Sequence, residues 1–199
     1  MKEKELIELL STIGGLDRKA MEEARKREDS LAKPPGSLGR LEDIAIQLAG
    51  ISGKLHNSVD KSCIVIMCSD NGVVEEGVSS APQYVTLAQT INFTRRLTGV
   101  GTLAKCFGVD LLVVDLGINA DLPKELLVKE ALETAGSELR VTGKIVDRKI
   151  RKSTYNLYKE PAMSREEAVC AMGVGVEMAR EIKKAGYTIF GIGEMGIGN

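Results

Sequence analysis

The residues best suited to chemistry follow three short apolar runs of the sequence. Asp70 follows the run Cys63-Ile-Val-Ile-Met-Cys68, Asp115 closes a second run, and Glu194 follows a third. Because the carboxyl ends of parallel strands meet at one edge of a sheet, three strands here would bring these carboxylates together. Nearby glycines would let backbone amides approach a phosphate closely. The pattern predicts a site for a small polar ligand, and turns rich in aspartate and glycine are the alternative.

The end of the sequence contains Gly191-Ile-Gly-Glu-Met-Gly196, which matches the G-x-G-x-x-G dinucleotide fingerprint. A genuine fingerprint leads into a helix that holds pyrophosphate, and an acidic residue follows about 20 positions later. The sequence stops at Asn199. We therefore interpret the segment as a glycine-rich loop that forms part of a site, and a nicotinamide-dependent oxidoreductase is the weaker alternative.

The elements expected to position these residues alternate between strands and helices. Continuous apolar runs predict strands over residues 63–68, 109–115 and 187–191, and helical spacing predicts helices over 86–97 and 164–185. Ser164-Arg-Glu-Glu167 is a capping box and Gly186 is a helix stop, so the last helix has defined ends. This alternation predicts an α/β fold with a Rossmann-like parallel sheet and flanking helices. Residues 118–160 are interpreted as an excursion from the sheet.

The first 56 residues predict a small helical part. Helical spacing covers residues 2–30, with Asp17 as the N-cap of a second helix, and resumes over residues 40–50. Between them, Lys33-Pro-Pro-Gly-Ser-Leu-Gly39 forms a stiff connector. We therefore expect a helical part over residues 1–56 and a parallel α/β main domain over residues 57–199, truncated at its C-terminal side.

Composition excludes several classes of protein. Lysine and arginine number 27 against 28 acidic residues, a net charge of −1 that offers no basic field to nucleic acid or anionic membrane. No apolar run approaches the roughly 18 residues that span a bilayer, and the charged start lacks a signal-peptide core. The four cysteines form no C-x-x-C pair and the single histidine is His56. We expect a cytoplasmic protein with buried, reduced thiols, no metal site and no cofactor.

Several distinctive blocks occur along the chain in a fixed order. They are Lys33-Pro-Pro-Gly-Ser-Leu-Gly-Arg-Leu-Glu42, Ser69-Asp-Asn-Gly-Val73, Glu76-Gly-Val78, Val85-Thr86, Gly99-Val100, Asp115-Leu-Gly117, Pro161-Ala-Met-Ser164 and the segment from Gly191 to Asn199. Together they resemble the nicotinate-nucleotide:dimethylbenzimidazole phosphoribosyltransferase family. The resemblance implies transfer of ribose 5-phosphate from nicotinate mononucleotide to a benzimidazole-type base, in a homodimer with a Rossmann-like main domain. It implies no metal, because the pyridinium leaving group is already positively charged.

The resemblance also implies roles for individual residues. Glu194 matches a glutamate beside the nucleotide and the base, while the general base of the family lies in a segment beyond residue 199. The expected substrate contacts are Asp70, Gln89, Asp115, Arg151, Asn156, Gly193, Gly196 and Asn199. The sequence departs from the family at Asn71, where histidine is usual, and at Ser153, where many members have glycine. We expect Ser153 to restrict a backbone that glycine could place at positive φ.

Two classes of function remain open on the sequence. The first is the N-terminal portion of such an enzyme, in which case the 199 residues alone are expected not to release nicotinate from nicotinate mononucleotide. The second is a non-catalytic homologue or subunit that binds a ribotide or nicotinate. Calorimetric titration with nicotinate mononucleotide, beside a turnover assay, separates the two.

Overall fold

The computed structural model describes all 199 residues, and they form two compact units. One unit comprises Ile7–Val59, and the other comprises Met1–Leu6 together with Asp60–Asn199. The boundary between Leu6 and Ile7 falls within helix α1 (Glu3–Ser11), so this helix contributes residues to both units. None of the helices is both long and apolar enough to cross a membrane.

The unit Ile7–Val59 is built on two helices, α2 (Arg18–Ser30) and α3 (Arg40–Ser52). The carboxylate of Asp17 accepts a hydrogen bond from the backbone N–H of Ala20 at 3.0 Å, so the predicted N-cap is confirmed. The two helices bury mostly small side chains: Ala20, Ala24, Ile46 and Ala49. A Cβ on Gly50 would lie 2.6 Å from Met21 Cγ, so the absence of a side chain there lets the helices approach.

The larger unit contains a five-stranded sheet in the order β3-β6-β2-β1-β7, with every neighbouring pair parallel. The strands are β1 (Ser62–Ser69), β2 (Asp110–Gly117), β3 (Leu127–Val128), β6 (Ile145–Asp147) and β7 (Ile189–Met195). An antiparallel pair, β4 (Leu132–Ala135) and β5 (Glu138–Val141), lies between β3 and β6 in sequence. The predicted α/β fold with a parallel sheet is confirmed.

Helices cover both faces of this sheet, which explains the continuous apolar composition of β1 and β2. They are α4 (Tyr84–Thr94), α5 (Gly99–Cys106) and α6 (Arg165–Lys184). On one face, Val65 and Leu112 pack with Met178 of α6. On the other face, Ile66 and Val113 join a second buried cluster that includes a residue of α4. The strand interiors are therefore buried on both sides.

Helix α6 has the ends that the sequence predicted. The Ser164 hydroxyl accepts from the N–H of Glu167 at 3.1 Å, and the Ser164 N–H donates to the Glu167 carboxylate at 2.8 Å. Gly186 follows the helix with φ 81°, a conformation that glycine adopts at little cost. These interactions fix where α6 begins, and therefore where Glu167 lies.

Two predictions about the sheet are wrong. The third predicted strand, residues 187–191, in fact runs over Ile189–Met195, so Gly193 and Glu194 belong to a strand and not to a glycine-rich loop. Their partners are Ile66 and Met67 of β1, whose parallel ladder supports a glycine-rich sequence that has little strand propensity of its own. The region 118–160 is not an excursion either, because it supplies β3 and β6 to the sheet.

The prediction that all cysteines are buried holds for two of the four. Cys63 and Cys68 are 1% and 0% exposed, and burial raises the pKa of both thiols to about 12. Cys106 and Cys170 are exposed, and all four are free thiols. The exposed pair lies on α5 and α6, and neither cysteine is among the buried residues of its helix.

Candidate active site

The carboxyl ends of three neighbouring strands meet at one edge of the sheet. Cys68 near the end of β1 pairs with Asp115 of β2 on one side and with Met195 of β7 on the other. The three strands therefore end at nearly the same level, and each continues into a polar or glycine-containing segment. Ligands in open parallel sheets bind outside this edge.

Two buried carboxylates lie beneath this edge. Asp70 is 2% exposed, and its Oδ2 accepts from the backbone N–H of Asn119 at 2.8 Å. Asp115 is 1% exposed; its Oδ1 accepts from the N–H of Ile118 at 3.0 Å, and its Oδ2 lies 3.0 Å from Lys149 Nζ. Burial raises the pKa of the Asp115 carboxyl in spite of these two neighbours. Both aspartates thus hold the segment that follows β2.

The segment after β7 packs directly on the end of β1. A Cβ on Gly196 would overlap the carbonyl oxygen of Ser69, so the two backbones touch where only glycine fits. The backbone N–H of Asn71 donates to the carbonyl of Ile197 at 3.3 Å, and the N–H of Ile197 donates to the Thr86 hydroxyl at 3.0 Å. The residues after Met195 are therefore anchored to both β1 and α4.

The loop that follows β6 crosses the same edge. The N–H of Ser153 donates to the carbonyl of Gly117 at 2.9 Å, and the N–H of Thr154 donates to the carbonyl of Asp70 at 3.0 Å. A Cβ on Gly72 would lie only 2.6 Å from the carbonyl oxygen of Thr154. This loop is consequently fixed against the ends of β1 and β2.

Ser153 takes the conformation that its side chain was expected to restrict. Its φ is 59°, in the left-handed region, where a non-glycine residue costs about 1 kcal/mol or more. The backbone bonds from Ser153 to Gly117 and from Thr154 to Asp70 hold it there. The serine therefore adopts a positive φ that glycine would take at lower cost.

A cavity of about 240 Å³ lies between this loop, the strand ends and the beginning of α6. Its lining includes Arg151, Ser153, Asn71 and Glu167. Nη1 of Arg151 lies 3.5 Å from a carboxylate oxygen of Glu167. An arginine beside a serine hydroxyl and apolar walls can bind an anionic group.

Of the predicted site residues, only Arg151 lines this cavity. Asn156 lines a neighbouring cavity of about 270 Å³, and its side chain donates to Glu76 at 2.6 Å. Gln89 is half-buried on α4, where its side chain accepts from Asn92 at 3.5 Å. Glu194 is exposed near the end of β7 and accepts a hydrogen bond from the Asn199 side chain. The edge thus carries exposed as well as buried carboxylates.

Sequence reasoning missed Lys149, Glu167 and Asn119 as parts of this edge. Lys149 lies within residues 118–160, which were interpreted as an excursion from the sheet, and Glu167 was identified only as a capping residue. Helix α6 brings Glu167 to the strand ends because its N-terminus, and not its C-terminus, lies at this edge. The signal that could have revealed Glu167 was its place in the first turn of a helix, because helices that follow parallel strands begin at the edge where those strands end.

Comparisons with known proteins agree with this architecture. The profile of a family described as phosphoribosyltransferase matches residues 13–199. The chain is 52% identical over 194 residues to the nicotinate-nucleotide–dimethylbenzimidazole phosphoribosyltransferase of Clostridium perfringens, covering 98% of this chain and 49% of the relative. It is 45% identical to the enzyme of the same name from Acetivibrio thermocellus, covering 98% of this chain and 50% of that relative.

A solved structure agrees as well. The crystal structure of the enzyme of that name from Thermus thermophilus matches 92% of this chain and 51% of its own chain, with a TM-score of 0.79 and 35% identity. The chain therefore spans about half the length of the curated relatives it matches. The match of the family profile to nearly the whole sequence, together with the shared fold, places this chain in the phosphoribosyltransferase family.

Proposed function

We propose that this chain takes part in the transfer of the phosphoribosyl group of nicotinate mononucleotide to dimethylbenzimidazole or a related base. The products would be alpha-ribazole phosphate, used in assembling the nucleotide loop of cobalamin, and nicotinate. The observation that carries the proposal is the 52% identity, over 98% of this chain, to a relative whose name states this reaction. The same names favour an enzyme over a non-catalytic ribotide-binding homologue.

The chemistry of the reaction suits the edge formed by β1, β2 and β7. The nicotinate ring leaves from a pyridinium, so cleavage of the bond to ribose neutralises a positive charge and the developing positive charge moves to the sugar. Carboxylates near that edge stabilise such a centre electrostatically, and backbone amides of the glycine-containing segment 196–199 can hold the phosphate. The acceptor base must also lose a proton during transfer.

We assign the proposed roles of the site residues partly from how exposed each side chain is. Asp70 and Asp115 remain proposed substrate contacts, and their buried carboxylates also hold Asn119, Ile118 and Lys149 at the strand edge. Glu194 is exposed, so we assign to it the supporting catalytic role near the base, with a general base elsewhere in the active enzyme. The remaining assignments are substrate contacts: Gln89, Arg151, Asn156, Gly193, Gly196 and Asn199.

The wider features of the proposal come from the same resemblance. We propose that the active enzyme is a cytoplasmic homodimer, with residues 1–56 in a small helical domain and residues 57–199 in the main domain. Its ligands are small molecules, and neither nucleic acid nor membrane is a partner. The charge balance of 27 basic and 28 acidic residues supports the absence of a nucleic-acid partner.

Turnover by a chimaera tests the reaction. Residues 1–199 are fused to the remaining half of the Clostridium perfringens relative, and nicotinate release from nicotinate mononucleotide is followed by chromatography in the presence of dimethylbenzimidazole. We expect base-dependent nicotinate release by the chimaera and none by the relative's half alone. A folded chimaera that binds nicotinate mononucleotide without releasing nicotinate would favour the non-catalytic alternative.

A further inference from the structure

The first turn of α4 carries a threonine that is wholly buried. Thr86 is 0% exposed, and its backbone N–H donates to the carbonyl of Gln83 at 3.1 Å. Its hydroxyl accepts a hydrogen bond at 3.0 Å from the backbone N–H of Ile197, which lies 111 positions further along the chain. A buried hydroxyl is costly unless it is hydrogen-bonded, so this long-range bond explains why a polar residue occupies a core position of α4.

Ile197 is held from two sides. Besides the bond between its N–H and Thr86, its carbonyl accepts a hydrogen bond from the backbone N–H of Asn71 at 3.3 Å. Its neighbours are Gly196 and Gly198, and Gly198 has a φ of 95°. Glycines on both sides would leave this backbone free to adopt many conformations, so the two hydrogen bonds select one of them.

Helix α4 is the rigid side of this contact. Its residue Phe93 is 6% exposed and belongs to the same buried cluster as Ile66 of β1. The branched Cβ of Thr86 restricts its side chain to few rotamers in a helix, so the hydroxyl is held in place before a ligand arrives. Gln89 lies on the next turn of the same helix. The bond to Ile197 therefore also fixes the distance between α4 and segment 196–199, which both carry proposed substrate contacts.

We propose that Thr86 is a positioning residue, whose hydroxyl holds segment 196–199 in its binding conformation without touching the ligand. A segment that is ordered in advance binds more tightly, because its backbone entropy is not lost when the ligand arrives. Removal of the hydroxyl would therefore weaken binding although every atom that contacts the ligand is still present. The identity of the ligand as the donor nucleotide rests on the proposed function, whereas the ordering of the segment rests on the contacts of Thr86.

Titration calorimetry with nicotinate mononucleotide tests the inference on a pair of variants. Thr86→Val replaces the hydroxyl by a methyl group and is expected to weaken binding roughly 3- to 12-fold, the range for one neutral hydrogen bond. Thr86→Ser keeps the hydroxyl and is expected to bind with nearly the wild-type affinity. Thr90→Val is the matched control, because Thr90 is also 0% exposed and its hydroxyl donates to the Thr86 carbonyl within the helix at 2.7 Å. Its affinity should be unchanged.

Denaturant unfolding of the same proteins separates positioning from a merely structural role. Both Thr86 variants are expected to be less stable than the wild-type protein, since the valine loses a hydrogen bond and the serine loses a buried methyl group. If Thr86 served stability alone, the affinity of both variants would fall in step with their stability. Positioning predicts instead that the affinity follows the hydroxyl, so that only Thr86→Val binds more weakly.

Amide hydrogen exchange without any ligand tests the ordering of the segment by itself. The N–H of Ile197 should exchange faster in Thr86→Val than in the wild-type protein, and at nearly the wild-type rate in Thr86→Ser. Unchanged exchange at Ile197 in Thr86→Val would overturn the inference, as would equal losses of affinity in the two Thr86 variants or full affinity in Thr86→Val.

Failure of the proposed function gives a different result. A wild-type protein that binds no nicotinate mononucleotide contradicts the proposed function, and the exchange rate of the Ile197 N–H in the two Thr86 variants then decides by itself whether Thr86 orders the segment.

Discussion

Gly196→Ala is expected to lower the free energy of unfolding by about 3 kcal/mol, at the upper end of the cost of overpacking. The new methyl group would overlap the carbonyl oxygen of Ser69 and lie 3.1 Å from Asn71 Nδ2. Backbone cannot move aside as a flexible side chain would, so either the segment after β7 or the end of β1 must shift. Because both form the strand edge, binding of nicotinate mononucleotide should weaken together with stability.

Chemical unfolding followed by circular dichroism measures this effect against a matched glycine. Gly175 lies inside α6, and a Cβ there would meet nothing within 4 Å. Gly175→Ala should therefore raise stability by up to about 1 kcal/mol, because alanine is the better helix former. If Gly196→Ala unfolded at the same denaturant concentration as the wild-type protein, the contact between Gly196 and Ser69 would be wrong.

Asp115→Ala is expected to destabilise the protein by a similar amount, about 3 kcal/mol. The substitution leaves the N–H of Ile118, a residue 0% exposed, without its acceptor, and it leaves Lys149 without its carboxylate. Lys149 keeps its contact with the carbonyl of Ala120 at 3.1 Å, which limits the loss. Thermal and chemical unfolding both report the change.

Two further variants distinguish the loss of the buried interactions of Asp115 from the mere loss of a negative charge. Asp115→Asn keeps an oxygen acceptor for Ile118 but turns an amide N–H toward Lys149, so it should lose less stability than Asp115→Ala without restoring the wild-type value. Asp121 pairs with Lys152 at 2.7 Å but its side chain is 86% exposed, so Asp121→Ala should change stability by less than about 1 kcal/mol. Equal losses for the two alanine variants would contradict the structural role given to Asp115.

The parts of the fold that the sequence predicted correctly have strong local signals. Strand β1 is a continuous apolar run buried on both faces, and α6 carries a capping box and a terminal glycine. The three residues of β6 and the two of β3 are too short to give a pattern, and they become strands only through pairing in the sheet. Pairing with β1 likewise extends β7 through a glycine-rich sequence that was interpreted as a loop.

In the candidate site, too, the residues next to strong local patterns were predicted, and those that depend on contacts between distant segments were not. The sequence located Asp70 and Asp115 at the strand ends because each follows an apolar run, but it could not reveal that both are buried. Their partners, Asn119 and Lys149, come from a region without a clear pattern. The cavity beside Arg151 also depends on contacts between distant segments, since Glu167 reaches it from the first turn of α6.

The central claim is that the donor nucleotide binds where β1, β2 and β7 end, and hydrogen exchange with and without nicotinate mononucleotide tests it most directly. We predict slower amide exchange on binding in residues 117–119, 153–156 and 196–199, with no change at the opposite edge. That edge serves as the internal control because it carries a cavity of its own, lined in part by Lys61, Gly108 and Glu138. Protection confined to the opposite edge, with none at the three segments, would contradict the account.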